Sequence, residues 1–136
     1  MKYPFKEDIV QETENFIIGQ DWECPIPGFL IIASKRKVDS IIDFSKEEYK
    51  EFCELVLKFR KLLKTILGIK KVYFFHSEDS GTGFHYLLFP RYSWMDKFGK
   101  KLKSVYIVKK YAEENMLTEK QIKRVKQTVK KLKKFV

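Results

Sequence analysis

The feature that most limits what this 136-residue chain can fold into is one capped amphipathic helix. Ser45-Lys46-Glu47-Glu48 is a capping box: a serine and a glutamate three residues later satisfy backbone N–H groups left free at a helix start. Side chains that can be buried then recur at positions 49, 52, 53, 56, 59, 62, 63 and 66, close to a 3.6-residue period, and Gly68 is the natural stop. A helix with one apolar face needs a second layer to cover it. The segments around it read as strands. Ile9-Val10 and Phe16-Ile17-Ile18 are separated by a polar turn over 12–15, Pro25-Ile26-Pro27-Gly28 forces a tight turn, and 29–33 reads as a strand buried on both faces. Lys71 to Phe75 and Phe84 to Phe89 are aromatic-rich strands joined by a short polar loop, so they pair antiparallel. The expected class is α+β, an antiparallel sheet with one main helix packed on it.

After Gly99 the pattern predicts two more helices, roughly 100–115 and 118–134, with Thr118 as N-cap of the second. Ile122, Val125, Val129, Leu132 and Val136 form an apolar stripe, while Lys123, Lys126, Lys130, Lys133 and Lys134 crowd the other sides. Residues 97–136 therefore read as a basic helical extension packed on a domain of residues 1–96. The stripe as a dimer contact and the lysines as an RNA surface are the sharper alternatives. No aromatics interleave with these lysines, so nucleic acid is weakly supported.

The net charge of +10 favours anionic partners without choosing among them. From Lys120 onward there are eight basic residues and no acidic ones. No apolar run approaches the roughly 20 residues that span a bilayer, and MKYPFKEDIVQE has acids where a secretory signal would be apolar. A cytoplasmic protein without a membrane role is expected. Cys24 and Cys53 are too few for a disulfide framework and are not spaced as a metal site. Cys53 reads as a small buried hydrophobe; Cys24 sits in the proline-flanked turn. No metal and no cofactor are expected.

The chain has two histidines, His76 and His85, and either alone reads as a core histidine with one hydrogen bond. The setting of His85 points further. A loop of Ser, Asp, Thr and Gly precedes it, offering backbone N–H groups and hydroxyls to phosphate oxygens. Arg91, just beyond the strand, is placed to hold an anion.

Residues 16–37, from Phe16 through Asp21, Pro27 and Gly28 to Lys37, resemble the N-terminal half of histidine triad proteins. So do Asp43-Phe44-Ser45 with the helix that follows and the strand from Phe84 to Pro90-Arg91. The likeness covers roughly residues 9 to 95 in family order. The family's signature strand reads His-φ-His-φ-His-φ-φ, with φ apolar, often followed by Pro-Arg; counted back from Pro90-Arg91, its middle histidine is His85. The first position is here Gly83, the third is Leu87, and two other positions often histidine are Phe29 and Lys37. Branches similar to diadenosine tetraphosphate hydrolases, with a Pro-Arg-Tyr-x-Trp-Met-like ending, do without the third histidine, and Tyr92-Ser93-Trp94-Met95 fits that ending.

What the resemblance implies is a nucleotide hydrolase or nucleotidyl transferase acting on dinucleoside polyphosphates or nucleoside phosphoramidates. His85 would be the nucleophile that forms a nucleotidyl-histidine intermediate. The Gly83 carbonyl would orient the other ring nitrogen of His85, and Ser80 would contact the phosphate. Asp21 would hold the ribose, Phe16, Ile18 and Trp22 would line the base pocket, and Arg91 would assist with the anion. His76 is a candidate replacement proton donor. Homodimers through the main helix and a sheet edge are usual for the family. The alternative is a nucleotide-binding or regulatory protein of the same fold that has lost efficient catalysis.

Overall fold

The computed structural model, which describes residues 3–136, contains five strands and three α-helices. They are β1 (Ile9–Glu12), β2 (Phe16–Gln20), β3 (Leu30–Ser34), α1 (Lys46–Leu67), β4 (Val72–Phe75), β5 (His85–Pro90), α2 (Val105–Asn115) and α3 (Glu119–Lys133). Short 3-10 turns occupy Ile41–Asp43, Ser93–Phe98 and Leu102–Ser104. The sheet order is β1-β2-β3-β5-β4, with antiparallel pairing throughout.

Strand alternation divides the side chains between two faces. Phe16 and Ile18 of β2, Leu30 and Ile32 of β3 and Leu88 of β5 are fully buried on one face, against Phe52, Leu55, Phe59 and Leu63 of α1. The opposite face is covered over part of its length. Phe29 and Phe89 meet edge to face at 5.0 Å beneath Val105, Val108 and Ala112 of α2. The other end of that face, where β5 begins at His85, is not roofed by these residues. Helix α3 closes the β1 edge: Val129 and Leu132 join the α1-side core with Val10, and Lys126 reaches Asp8 at 2.7 Å and the Pro4 carbonyl at 3.0 Å.

Helix α1 begins and ends where its sequence signals lie. The Glu48 amide donates to Ser45 Oγ and the Ser45 amide to Glu48 Oε1, and Gly68 stops the helix in the left-handed region at φ 69°. Glu48 also receives the Arg36 guanidinium through both Nε and Nη2. Arg36 and the Ser45 amide together hold the Glu48 carboxyl down at about 2.

Three expectations are corrected. Cys53 is exposed, because Tyr49, Cys53 and Leu57 fall on an outward stripe beside the buried Phe52, Leu55, Phe59 and Leu63. The helix expected from residue 100 starts at Val105, since Gly99 and Lys101 take positive φ values of 102° and 67° and the Lys101 amide donates to the Tyr73 hydroxyl. Val136 lies beyond the end of α3 and is exposed, whereas Val125, Val129 and Leu132 are buried. Cys24 is buried, and burial pushes its thiol far up from its ordinary value.

Because the folded pKa of Glu48 lies below its unfolded value near 4.3, its stabilisation is full above that value and is lost as pH falls towards about 2. Glu48→Gln is expected to cost about 1–2 kcal/mol at pH 7 by urea unfolding, and to flatten the acid limb of stability against pH.

Candidate functional site

The residues before β5 turn the polar loop into a bracket for one imidazole. Gly83 has φ 96°, a conformation that an L side chain rarely adopts, and its carbonyl points back at the strand it introduces. His85 Nδ1 lies 3.0 Å from that carbonyl oxygen, and the Ser80 hydroxyl donates to the same oxygen at 3.2 Å. A carbonyl only accepts, so Nδ1 carries the proton and Nε2 of the neutral ring holds the lone pair. Thr82 tightens the loop by donating to Ser80 Oγ through its amide and its hydroxyl.

His85 is half-buried and lines three adjoining cavities. The first, about 330 Å³, is shared with Tyr3, Asp21, Trp22, Glu23, Ile31, Thr82 and Lys109. The second, about 290 Å³, runs over the open sheet face along Ile17, Gly19, Ile31 and Ala33. The third, about 300 Å³, lies towards Ser77, Ser80 and Leu87. A purine-sized body has room in any of them.

Asp21 is buried just past the end of β2. Its Oδ2 accepts from the amides of Cys24 (3.0 Å) and Glu23 (3.3 Å), so it braces its own turn as well as facing the cavity. Burial raises its pKa above the ordinary carboxylate value, and Lys109 with the two turn amides partly offset that rise. Trp22 is exposed at the rim, with Tyr3 edge-on at 5.9 Å and the Lys6 ammonium 5.6 Å from its ring centroid.

No family model matches the sequence, and no curated protein matches it. Solved structures do. A HIT-like protein involved in cell-cycle regulation from Bartonella henselae superposes with a TM-score of 0.63 at 16% identity, covering 94% of this chain and 86% of its own. A zinc-bound histidine triad family protein from Mycobacterium smegmatis gives 0.58 at 14% identity over 95% and 88% of the two chains. A HIT family member from Bacillus subtilis gives 0.57 at 17% over 90% and 85%. The chain has the histidine triad fold.

On this histidine triad fold the residues expected at the site separate into two groups. His85, Ser80, Gly83, Asp21 and Trp22 gather around the three cavities. Phe16 and Ile18 do not: both are fully buried on the α1 side of the sheet, because the strand period of two sends them away from His85. Their neighbours Ile17 and Gly19, together with Ile31, form the wall instead. Arg91 is also misplaced as an anion holder. Just past the end of β5 and six residues from His85, it lies about 20 Å away, and its guanidinium is spent on Ser104, Asp96 and the Gly99 carbonyl. His76 lines the third cavity beside His85, and its hydrogen bond to that residue is through the backbone, its Nδ1 donating to the His85 carbonyl at 3.2 Å. Its ring rests on Phe84 at 4.3 Å, and its Nε2 is buried without a partner among the described residues, which does not suit a proton donor to substrate.

The first histidine position is a glycine with φ 96°, where any L side chain would be strained although a Cβ would meet only ordinary contacts. The residue that the sequence did not single out is Lys109. It comes from α2, outside the span of family likeness, and nothing in the pattern separates it from 27 other lysines and arginines.

Two measurements check this geometry. Ile18→Ala is expected to lower stability by about 2–5 kcal/mol in denaturant unfolding and Ile17→Ala by about 1. With its folded pKa raised, Asp21 makes the protein less stable as pH climbs from about 4 through that raised value. Asp21→Asn keeps an acceptor for the turn and is expected to remove this part of the pH dependence in thermal melts.

Proposed function

We propose that the chain is a nucleotide phosphohydrolase or nucleotidyl transferase that works through His85. The observation that carries this reading is the Nδ1-to-carbonyl hydrogen bond from His85 to Gly83, which leaves the lone pair on Nε2 of a ring that lines a cavity with Asp21 and Lys109. In the proposed reaction Nε2 attacks the α-phosphorus of the nucleotide. An N–P bond forms, the bond from that phosphorus to its leaving oxygen or nitrogen breaks, and a nucleotidyl-histidine results. The positive charge then developing on the imidazole is stabilised by the Gly83 carbonyl opposite Nδ1. Water or another acceptor attacks the same phosphorus in the second step, and the N–P bond breaks to restore His85.

The neighbouring groups suit the remaining parts of such a substrate. Lys109 is a cation for phosphate oxygens, and Asp21 is an acceptor for ribose hydroxyls. Ile17, Ile31 and Trp22 offer apolar surface for a base. Ser80, with its proton committed to Gly83, braces the nucleophile's bracket. Dinucleoside polyphosphates and nucleoside phosphoramidates are the proposed substrates. The exposed stripe of Tyr49, Cys53 and Leu57 on α1, with the β4 edge, suits pairing with a second copy.

A second reading is favoured by His76, whose buried Nε2 leaves no histidine to protonate a poor leaving group. On that reading the protein binds nucleotide without efficient turnover. The test incubates the protein with adenosine and guanosine polyphosphates and phosphoramidates, wild type beside His85→Ala. The hydrolase reading expects turnover that falls by about three orders of magnitude or more in the variant. It also expects an acid-labile nucleotidyl adduct of the wild type alone by intact mass. Nucleotide binding by both proteins with turnover by neither establishes the binding protein.

A further inference from the structure

We propose that the basic C-terminal extension completes a second site, for single-stranded nucleic acid, on the two cavities that flank the Ser93–Phe98 turn. This inference does not rest on His85. The site lies beyond the far end of β5, with Tyr92 seven residues from His85 and thus about 20 Å along the strand direction.

Neither cavity belongs to the nucleotide pocket. One, about 500 Å³, is walled by Leu67, Tyr92, Trp94 and Tyr111 and by the α3 residues Gln121 and Arg124. The other is about 440 Å³, and the two adjoin at Tyr92, which lines both. Their charge is one-sided. Lys97 and Arg124 line the first; Lys70, Lys71, Lys100 and Lys101 line the second. Asp96 is the one carboxylate among the lining residues, and Arg91 already holds it at 3.2 Å. Among the described residues these six cations have no carboxylate partner, and like charges repel one another unless an anion bridges them.

Charge alone describes any polyanion; the aromatic walls choose among them. Trp94 stands half-buried, braced by Tyr111 at 6.1 Å and by Phe98 edge-on at 6.4 Å, so its ring is held in place before a ligand arrives. Lys97 lies over Phe98 and Tyr111 at 5.2 and 5.4 Å, next to the same ring. A held indole beside unpaired cations is the arrangement that stacks an unpaired base while lysines follow the phosphates. A duplex keeps its bases stacked on each other and presents no free base face to such a wall. A single mononucleotide fills one cavity and leaves the four lysines of the other unanswered. The α3 helix carries no aromatic among its lysines, and the fold supplies them from the Ser93–Phe98 turn and α2.

The test is fluorescence anisotropy with a labelled oligothymidylate of about 12 nucleotides, at several salt concentrations. Two charge-matched variants are compared, K70A/K71A/K100A/K101A and K130A/K131A/K133A/K134A, all at exposed positions, the second set at the end of α3 and its C-cap and outside both cavities. Trp94→Leu removes the stacking face but keeps an apolar plug, and thermal melts verify that each variant folds. The expected result is nanomolar-to-micromolar binding that weakens about tenfold or more in Trp94→Leu. The cavity-lysine variant weakens much further than the α3 variant, with its salt slope reduced by about 3. Equal losses in the two lysine variants overturn the proposal in favour of diffuse attraction. So does inorganic polyphosphate binding as tightly as the oligonucleotide with no response to Trp94→Leu. Adenosine monophosphate competing at equal affinity identifies a small-nucleotide site and also overturns it.

Discussion

Everything at the functional end of this molecule depends on the alternation of side chains across one antiparallel sheet. With a period of two, β2, β3 and β5 send Phe16, Ile18, Leu30, Ile32 and Leu88 to the face that α1 covers. The same alternation leaves Ile17, Ile31, Ala33 and His85 on the other. That second face is only partly roofed. α2 seals it around Phe29 and Phe89, and the uncovered remainder is where His85 stands. A fully covered sheet would have buried the imidazole, and a bare one would have left it in water.

Within that half-open space, a single hydrogen bond sets the chemistry of the ring. The Gly83 carbonyl fixes the tautomer of His85, from a residue that itself takes a positive φ of 96°. The backbone thus supplies the orienting acceptor, and the side chain of the first triad position is dispensable for that task. Ser80 and Thr82 add to the rigidity of the bracket through hydrogen bonds to Gly83 and to each other. His76 Nδ1 donates to the backbone carbonyl of His85, and its Nε2 is buried with no partner among the described residues.

The extension does more than cap the fold. Val129 and Leu132 of α3 complete the α1-side core, Val105, Val108 and Ala112 of α2 build the other cluster, and Lys109 enters the cavity of His85. The surface it leaves is strongly basic, and the aromatic residues that give this surface chemical character come from outside α3.

Local signals in the sequence were enough for the elements whose energetics are local. The capping box at Ser45, the stop at Gly68, the aromatic strands and the N-cap at Thr118 are decided by hydrogen bonds and periodicities within a few residues. The pairing of His85 with the Gly83 carbonyl was implied by the resemblance to histidine triad proteins, and it too is a bond between residues two apart. Facing was not. Whether Phe16 or Ile17 walls the pocket turns on a single residue of strand register, and both are apolar. Arg91 looked available until Ser104, Asp96 and Gly99, distant or weakly marked in sequence, closed around it. Lys109 was one basic residue among many until α2 folded over the sheet. Short-range hydrogen bonding determined which residues are strand, helix and bracket; only long-range packing decided which side chains share a cavity.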